Sequence, residues 1–592
     1  MISRAIVRAV RVGLIVSIAG CVAPALAQTS AADEANAIFA EYWERIAEEL
    51  PEYSTFRGDD RYNDRLTDWS PEAIARRRDY ARELLARVTR IDADQLSGQT
   101  RVSLDVLRAT LDRRVRVQKF DGSELMPVSP MTGPQLEFSL LVKSTRFQNT
   151  DDYRKYLRRL AAFPQQLRQI EALLRRGLAT GWVLPAQAIQ NVPAQMDAWL
   201  TPDINVNPAG RPFVDVPAAI PAATREQLAA DGRRAIADDV APAFRALKTF
   251  FVTTYMPGAR KQLGASTLPD GAAYYDALIA DQTTTAMTAA DIHALGLREV
   301  ARIDAAIVDA IAKTGFRGTR DEFYRSLHES PQFYYTRADE LLTGYRDIAK
   351  RADAELPSLF AQLPRLPYGI RAMEAFEGEN ADHYTVGSEQ GARAGFFEAN
   401  TNNLRSRPKY EMENVFLHEA VPGHHLQTAR AQELAGLPEF RKHTFIVAYV
   451  EGWALYAESL GDEMGFYRDP YSKFGQLAWE MVRACRLVID TGIHALGWER
   501  QRAIDYLVDH SGITREFATA EVDRYIVQPG QALGYKLGEL RIKALRAKAA
   551  AALGERFNIR RFHNAVIDDG ALPLDVLEQR IDAWIAAEKA RS

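Results

Sequence analysis

Within the stretch VFLHEAVPGHHLQ, Val415–Gln427, three histidines and an acid fall inside eight residues: His418, Glu419, His424 and His425. Imidazole nitrogens and carboxylate oxygens are the donors that bind zinc, so this cluster points to metal chemistry. In the familiar His-Glu-x-x-His helix the two histidines are about 6 Å apart along the axis and can reach one ion. His418 and His424 would be roughly 9 Å apart on an unbroken helix, too far to share a metal through bonds of about 2 Å. Pro422 removes a backbone donor and crowds the preceding turn, while Gly423 tolerates unusual dihedrals. The sequence therefore predicts a bulge after Glu419 that pulls His424 back toward His418 and leaves Glu419 beside the metal to take a proton from water. His425 competes as second ligand, because seven residues of ideal helix return to nearly the same face. His424 is preferred because it directly follows the glycine.

A third ligand is expected downstream, in HTFIVAYVEGWALYAESLGDE. Between Phe445 and Ala457 the only charged side chain is Glu451, and a lone carboxylate in an apolar helix is costly unless a cation compensates it. Glu451 is the predicted third ligand, with a salt bridge to arginine as the plainer alternative. Glu458 and Asp462 are candidate partners for the ligand histidines. His293, His328, His383, His443, His510 and His563 read as ordinary satisfied histidines.

The elements that must hold these groups are mostly helical. From about Ala31 to Gln118 apolar residues recur at helical spacing, with a start at Pro71, and the series from Asp151 stops at Gly181. The proline- and asparagine-rich stretch from Thr201 to Thr224 reads as an irregular excursion between helical blocks. After Leu366, short aromatic and β-branched segments punctuated by glycine predict a small antiparallel sheet just before the histidine cluster. The expected fold is mainly α, a large helical body, with residues 28–366 forming the helical N-terminal part and 367–592 the catalytic half.

HEAVPGHHLQ followed by EGWALYAE resembles the large bacterial family known as domain of unknown function 885, and EGWALYAE is also similar to the third-ligand helix of glutamate-zinc (gluzincin) peptidases. The family pattern His-Glu-x-x-Pro-Gly-His maps onto His418, Glu419 and His424, and the likeness extends from Gly391 to at least Gly538. The resemblance implies a helical metallopeptidase-like body of the angiotensin-converting-enzyme and thimet-oligopeptidase type, with a deep channel between helical halves.

The remaining motifs fit amide hydrolysis, which needs donors aimed at a developing oxyanion. Asp490 and His494 are four apart in IDTGIHALGW, so the carboxylate could orient the imidazole; a helix-stabilising pair is the alternative. Tyr535 follows a proline-glycine entry that places it near a helix start, with Tyr525 as its rival. AGFFEANTNNL resembles an edge strand that pairs with a peptide substrate, Gly395 permitting close approach of another backbone.

Composition sets the limits. The 592 residues are 47% hydrophobic and 26% charged, with a formal net charge of −4; this is a globular composition and not that of a nucleic-acid binder. Residues 1–27 read as an export signal, with Arg4, Arg8 and Arg11 before an apolar run and ALA before Gln28. Losing those three arginines and no acid takes the charge from −4 to −7. Cleavage after Ala27 is favoured, which would leave a periplasmic or secreted protein. IAGC, ending at Cys21, competes as a lipoprotein signal that would tether the chain through a lipid. Cys21 and Cys485 are the only cysteines, so no disulfide is expected in the mature chain, and Cys485 reads as a buried apolar residue.

Together these features predict an exported zinc-dependent peptidase acting on short peptides. Its metal ligands are His418, His424 and Glu451, its base Glu419, and its oxyanion donors His494 and Tyr535. A zinc amidohydrolase acting on non-peptide amides or cell-wall fragments is the second reading, and an inactive metal- or peptide-binding envelope protein the third.

Overall fold

A computed structural model describes residues 30–374, 381–387 and 393–591. The expected export signal, Cys21 included, lies outside the described residues. At 70% helix, with one three-stranded sheet among the described residues, the fold is mainly α, as the sequence predicts.

The N-terminal part begins with helices α1 (Ala31–Glu49), α2 (Pro71–Arg90) and α3 (Gly98–Val117), followed by the long α4 (Thr150–Thr180). Their ends follow local chemistry. Ser70 caps α2 immediately before Pro71, which occupies the first turn, where a missing N–H costs nothing. Asn149 and Asp152 form a reciprocal cap on α4, which stops at Gly181 in the left-handed conformation (φ 83°). The proline-rich stretch after Thr201 is irregular, as expected, with only short helical turns at Pro208–Gly210 and Arg211–Val214, and it is pinned to α4. Tyr153 and Tyr156 of α4 donate to the carbonyls of Pro212 and Ala209, and Phe213 is buried against that helix.

Helices α5 (Ala289–Lys313) and α6 (Ala338–Leu359) lead into the sheet: β1 (Tyr368–Ala372), β2 (His383–Thr385) and β3 (Gly395–Ala399). The sheet is mixed and not wholly antiparallel. β3 is central, parallel to β1 (Ile370 opposite Phe397) and antiparallel to β2 (Tyr384 opposite Phe397). The predicted edge strand is thus the middle one. Its side chains explain why: Phe397, Glu398 and Ala399 are all fully buried, as a strand with a neighbour on each side requires.

The histidine stretch follows as α7 (Met412–Glu419) and α8 (His424–Glu433), then α9 (Val447–Leu460), α10 (Pro470–His494), α11 (Arg515–Val527) and α12 (Gly534–Leu553). The largest apolar cluster joins Ile38 and Leu107 of the N-terminal helices to Phe416, Trp453 and Phe562, so the two parts of the chain share one core. Cys485 is fully buried in a second cluster with Met481 and Ile489. Among the described residues no helix is long and apolar enough to cross a membrane.

Candidate metal centre

The predicted bulge takes the form of a full break. α7 ends at Glu419, residues 420–423 leave helical geometry with a cis Val421–Pro422 bond, and α8 starts afresh at His424. The two helices are stitched across the break by the His425 N–H donating to the Ala420 carbonyl at 3.0 Å. Gly423 is required by space: a Cβ there would lie 1.9 Å from the His418 carbonyl oxygen. From the far side, Trp453 Nε1 of α9 donates to the Pro422 carbonyl at 2.9 Å and fixes the break against the third helix of the site.

This geometry brings His418, His424 and Glu451 together. Glu451 Oε2 lies 3.6 Å from His418 Nε2 and 3.5 Å from His424 Nε2, and the candidate donor atoms of all three lie within 4.8 Å of one another. Ligand atoms on a tetrahedral zinc with bonds of about 2.0–2.1 Å are about 3.3 Å apart, so the two histidine–carboxylate edges are close to that spacing. Glu451 makes no ion pair with an arginine among the described residues; its partners are the two imidazoles.

His425 points elsewhere. Its Nδ1 meets the Tyr384 hydroxyl at 2.9 Å, it is 1% exposed, and burial pushes its pKa down to about 4. Gly395 serves this contact, since a Cβ there would lie 2.5 Å from the Tyr384 hydroxyl. The close approach that Gly395 permits here is to the Tyr384 and His425 side chains.

Behind the donors stands a supporting layer. His418 Nδ1 donates to Glu458 Oε1 at 2.7 Å, which leaves Nε2 to face Glu451. Glu458, fully buried two turns along α9 from Glu451, is held in turn by Arg483 Nη2 of α10 at 3.0 Å. Asp462 is not part of this layer; it pairs with Lys473 at the surface. Glu419 Oε1 lies 3.9 Å from His418 Nε2, while its Oε2 accepts the Tyr384 backbone N–H of β2 at 3.0 Å. The sheet strand that touches the site is therefore the edge strand β2.

The electrostatics are those of a place prepared for positive charge. Burial opposes protonation of His418, but the bonds to Glu451 and Glu458 and the charge of Glu419 outweigh it and raise its pKa to about 9. Burial works to keep Glu451 protonated, yet the two histidines hold it well below the usual carboxylate range. With neutral imidazoles, Glu419, Glu451, Glu458 and Arg483 leave a deficit of two positive charges, which a divalent cation would fill. The donor set, its spacing and this deficit fit zinc.

Tyr535 stands next to this cluster. Gly538 of α12 approaches the backbone of α9 so closely that a Cβ on it would lie 1.8 Å from the Ala448 carbonyl oxygen. Tyr535, one turn earlier, has its hydroxyl pKa raised by burial and then by the charge of Glu451. Its rival Tyr525 is fully buried, donating to Glu521 at 2.7 Å.

His494 does not belong to the site. The Ala265 N–H donates to its Nδ1 at 3.0 Å, so Nε2 carries the proton and donates to the Tyr525 carbonyl at 2.9 Å. No donor remains for an oxyanion, and burial lowers its pKa to about 4. Asp490 does not orient it: that carboxyl meets the Tyr275 hydroxyl and the Gly530 N–H, and burial raises its pKa to about 7. The histidines read as ordinary include His563, bonded to Tyr456 and the Leu359 carbonyl, and His328, bonded to the Gly512 carbonyl. A cavity of about 670 Å³ between Met287, His293, Thr491 and Leu496 contains none of the cluster residues.

Sequence reasoning missed Arg483 and Tyr384. Arg483 was findable by the argument that found Glu451, because it is a charge inside a buried run, MVRACRLVID. Tyr384 acts through its backbone and carries no sequence signal.

The molecule so described is a mainly α protein built around a His–His–Glu cluster. Residues 51–581 match the family described as bacterial protein of unknown function (DUF885), and the chain belongs to that family. No curated protein matches it. A crystal structure from Colwellia psychrerythraea, of a protein described as a "putative lipoprotein", is similar at TM-score 0.89 and 25% identity, covering 95% of this chain and 100% of that one. A second, described as a "putative lipoprotein of unknown function" from Shewanella oneidensis, shares the fold at TM-score 0.70 and 15% identity, covering 93% of this chain and 99% of that one.

Proposed function

We propose that the protein is an exported zinc-dependent hydrolase of peptide bonds in short peptides, of gluzincin-like type. The observation that carries the reading is the convergence of His418 Nε2 and His424 Nε2 on one Glu451 oxygen, with the Glu419 carboxylate beside them. His418, His424 and Glu451 would hold the metal. A zinc ion held there would supply Lewis acidity for a carbonyl oxygen and would lower the pKa of water toward neutrality.

The chain's own residues do the rest. Glu419, anchored by the Tyr384 N–H, accepts the proton of the attacking water and returns it to the leaving amine. The Tyr535 hydroxyl, kept protonated by burial and by Glu451, donates to the negative charge that develops on the carbonyl oxygen. Glu458 holds His418 in the tautomer that presents Nε2, and Arg483 holds Glu458.

The export-signal pattern read in residues 1–27 and the description of the similar Colwellia psychrerythraea protein as a lipoprotein support a place outside the cytoplasm, free or tethered through a lipid on Cys21. A mixed library of short peptides, read by mass spectrometry with zinc-loaded wild type and Glu419→Gln, tests the activity. The proposal requires trimming by wild type that the variant loses while keeping its zinc; no trimming by zinc-loaded wild type contradicts it.

A further inference from the structure

Helices α10, α11 and α12 meet beside Tyr535, and the charges at that junction do not cancel. Arg486 of α10 and Arg524 of α11 share a single carboxylate: Arg486 Nη2 lies 2.7 Å and Arg524 Nη2 3.0 Å from Glu521 Oε2. Arg486 Nε donates to the Tyr525 hydroxyl at 3.0 Å, and its guanidinium carbon lies 4.2 Å from the centre of the Tyr535 ring. Its Nη1 has no hydrogen-bond partner, although the side chain is only 6% exposed. Arg524 bonds Gln531, and Gln531 Nε2 donates to the Tyr535 hydroxyl at 3.4 Å.

A buried guanidinium with an idle donor and no full counter-charge is expensive unless a ligand completes it. The neighbouring charge network, with Lys536 buried at its centre, shows the difference. Lys536, Arg302 and Lys543 are matched by Glu299, Glu480 and Glu539, with Lys536 Nζ 2.8 Å from Glu480 and 2.6 Å from Glu539. The unbalanced unit charge belongs to the Arg486–Arg524 pair, whose Arg486 stacks on the Tyr535 ring and whose Arg524 reaches the Tyr535 hydroxyl through Gln531, while Glu451 acts on that hydroxyl from the cluster side.

We propose that Arg486 and Arg524 form a carboxylate subsite that receives the C-terminal carboxylate of a peptide, which makes the protein a carboxyl-terminal peptidase. This rests on the hydrolase reading above. The planar guanidinium fork matches a carboxylate in two parallel hydrogen bonds. A free C-terminus always lies on the amine side of the bond to be cut, so a carboxylate held beyond Tyr535 would register the scissile carbonyl near the Glu451 cluster. Water adds to that carbonyl carbon, the C–N bond breaks, Glu419 passes the water proton to the leaving nitrogen, and the bound carboxylate is unchanged.

The test uses the full chain and three forms of one tetrapeptide with uncharged side chains: free acid, C-terminal amide, and the amide with its last residue replaced by aspartate. For the zinc-loaded protein, kcat/KM is expected to fall about 100-fold from acid to amide, with the aspartate amide no better than the plain amide. Arg486→Met is expected to shrink the acid-to-amide ratio to within about threefold, thermal melting confirming that it folds. Equal rates on acid and amide, internal cleavage, an aspartate amide that matches the acid, or an unchanged ratio in Arg486→Met would each overturn the assignment. Calorimetry on metal-free protein separates the two readings. If zinc-loaded protein cuts nothing while metal-free protein still binds acid over amide, hydrolysis fails and the subsite stands; equal binding removes the subsite whatever the catalysis.

Discussion

His418 and His494 look alike in outline. Each is a buried histidine in the last turn of its helix with an acid a few residues away in sequence, yet burial and surroundings drive one pKa up to about 9 and the other down to about 4. Burial opposes the charged form in both. What differs is the company. Around His418 the neighbours are carboxylates, Glu451, Glu458 and Glu419, which call for positive charge. Around His494 they are backbone groups, one donor and one acceptor, which fix a neutral ring completely. A buried histidine is a candidate site when its partners leave charge uncompensated, and a structural strut when they do not.

The sharpest way to break this contrast is at the acids. Glu419→Gln should lower peptide hydrolysis about 1,000-fold while zinc content stays at the wild-type level, whereas His494→Phe should leave turnover within a factor of three; steady-state kinetics beside metal analysis checks both. Next comes pH. The folded pKa of His494, about 4, lies below the 6.5 of a free histidine, so its neutral form favours the fold above pH 6.5 and that contribution is lost as the pH falls toward 4. The loss is on the order of 3 kcal/mol. Urea unfolding of metal-free protein at pH 7 and 4.5 should show a smaller drop in His494→Phe than in wild type.

Glu458→Gln is the corresponding lesion on the His418 side. It should weaken zinc binding about 10- to 100-fold by loosening the His418 tautomer, measured by competition with a chromophoric chelator; Asp490→Asn should not. The smallest effect is the stability of His494→Phe at neutral pH. Leaving the Ala265 N–H and the Tyr525 carbonyl without partners should cost about 2 kcal/mol, read as a shift in the urea midpoint at unchanged zinc stoichiometry.

Much of the cluster was legible because its chemistry is local. The misfit between histidine spacing and helical rise, set beside Pro422 and Gly423, foretold an interruption after Glu419, and the structure carries it further into a complete break. The stranded charge of Glu451 marked the third corner. The errors came where spacing stood in for contact. Asp490 and His494 are correctly spaced on one helix, but α10 is buried all round, so neighbours from other elements, Tyr275, Ala265, Gly530 and Tyr525, decide what each side chain meets. The strand order failed for a similar reason: a five-residue strand buried on both sides can be central or parallel without any mark in its own sequence. Arg483 and Arg486 were visible as charges within an apolar run, yet their partners lie on other helices, so sequence could flag them without saying which carboxylate each would meet.

Zinc content tests the central claim most directly. After chelator treatment, reloading and gel filtration, the account predicts one zinc per chain in wild type and in His494→Phe, and none retained in Glu451→Ala. A full equivalent of zinc in Glu451→Ala, or none in wild type, would contradict it.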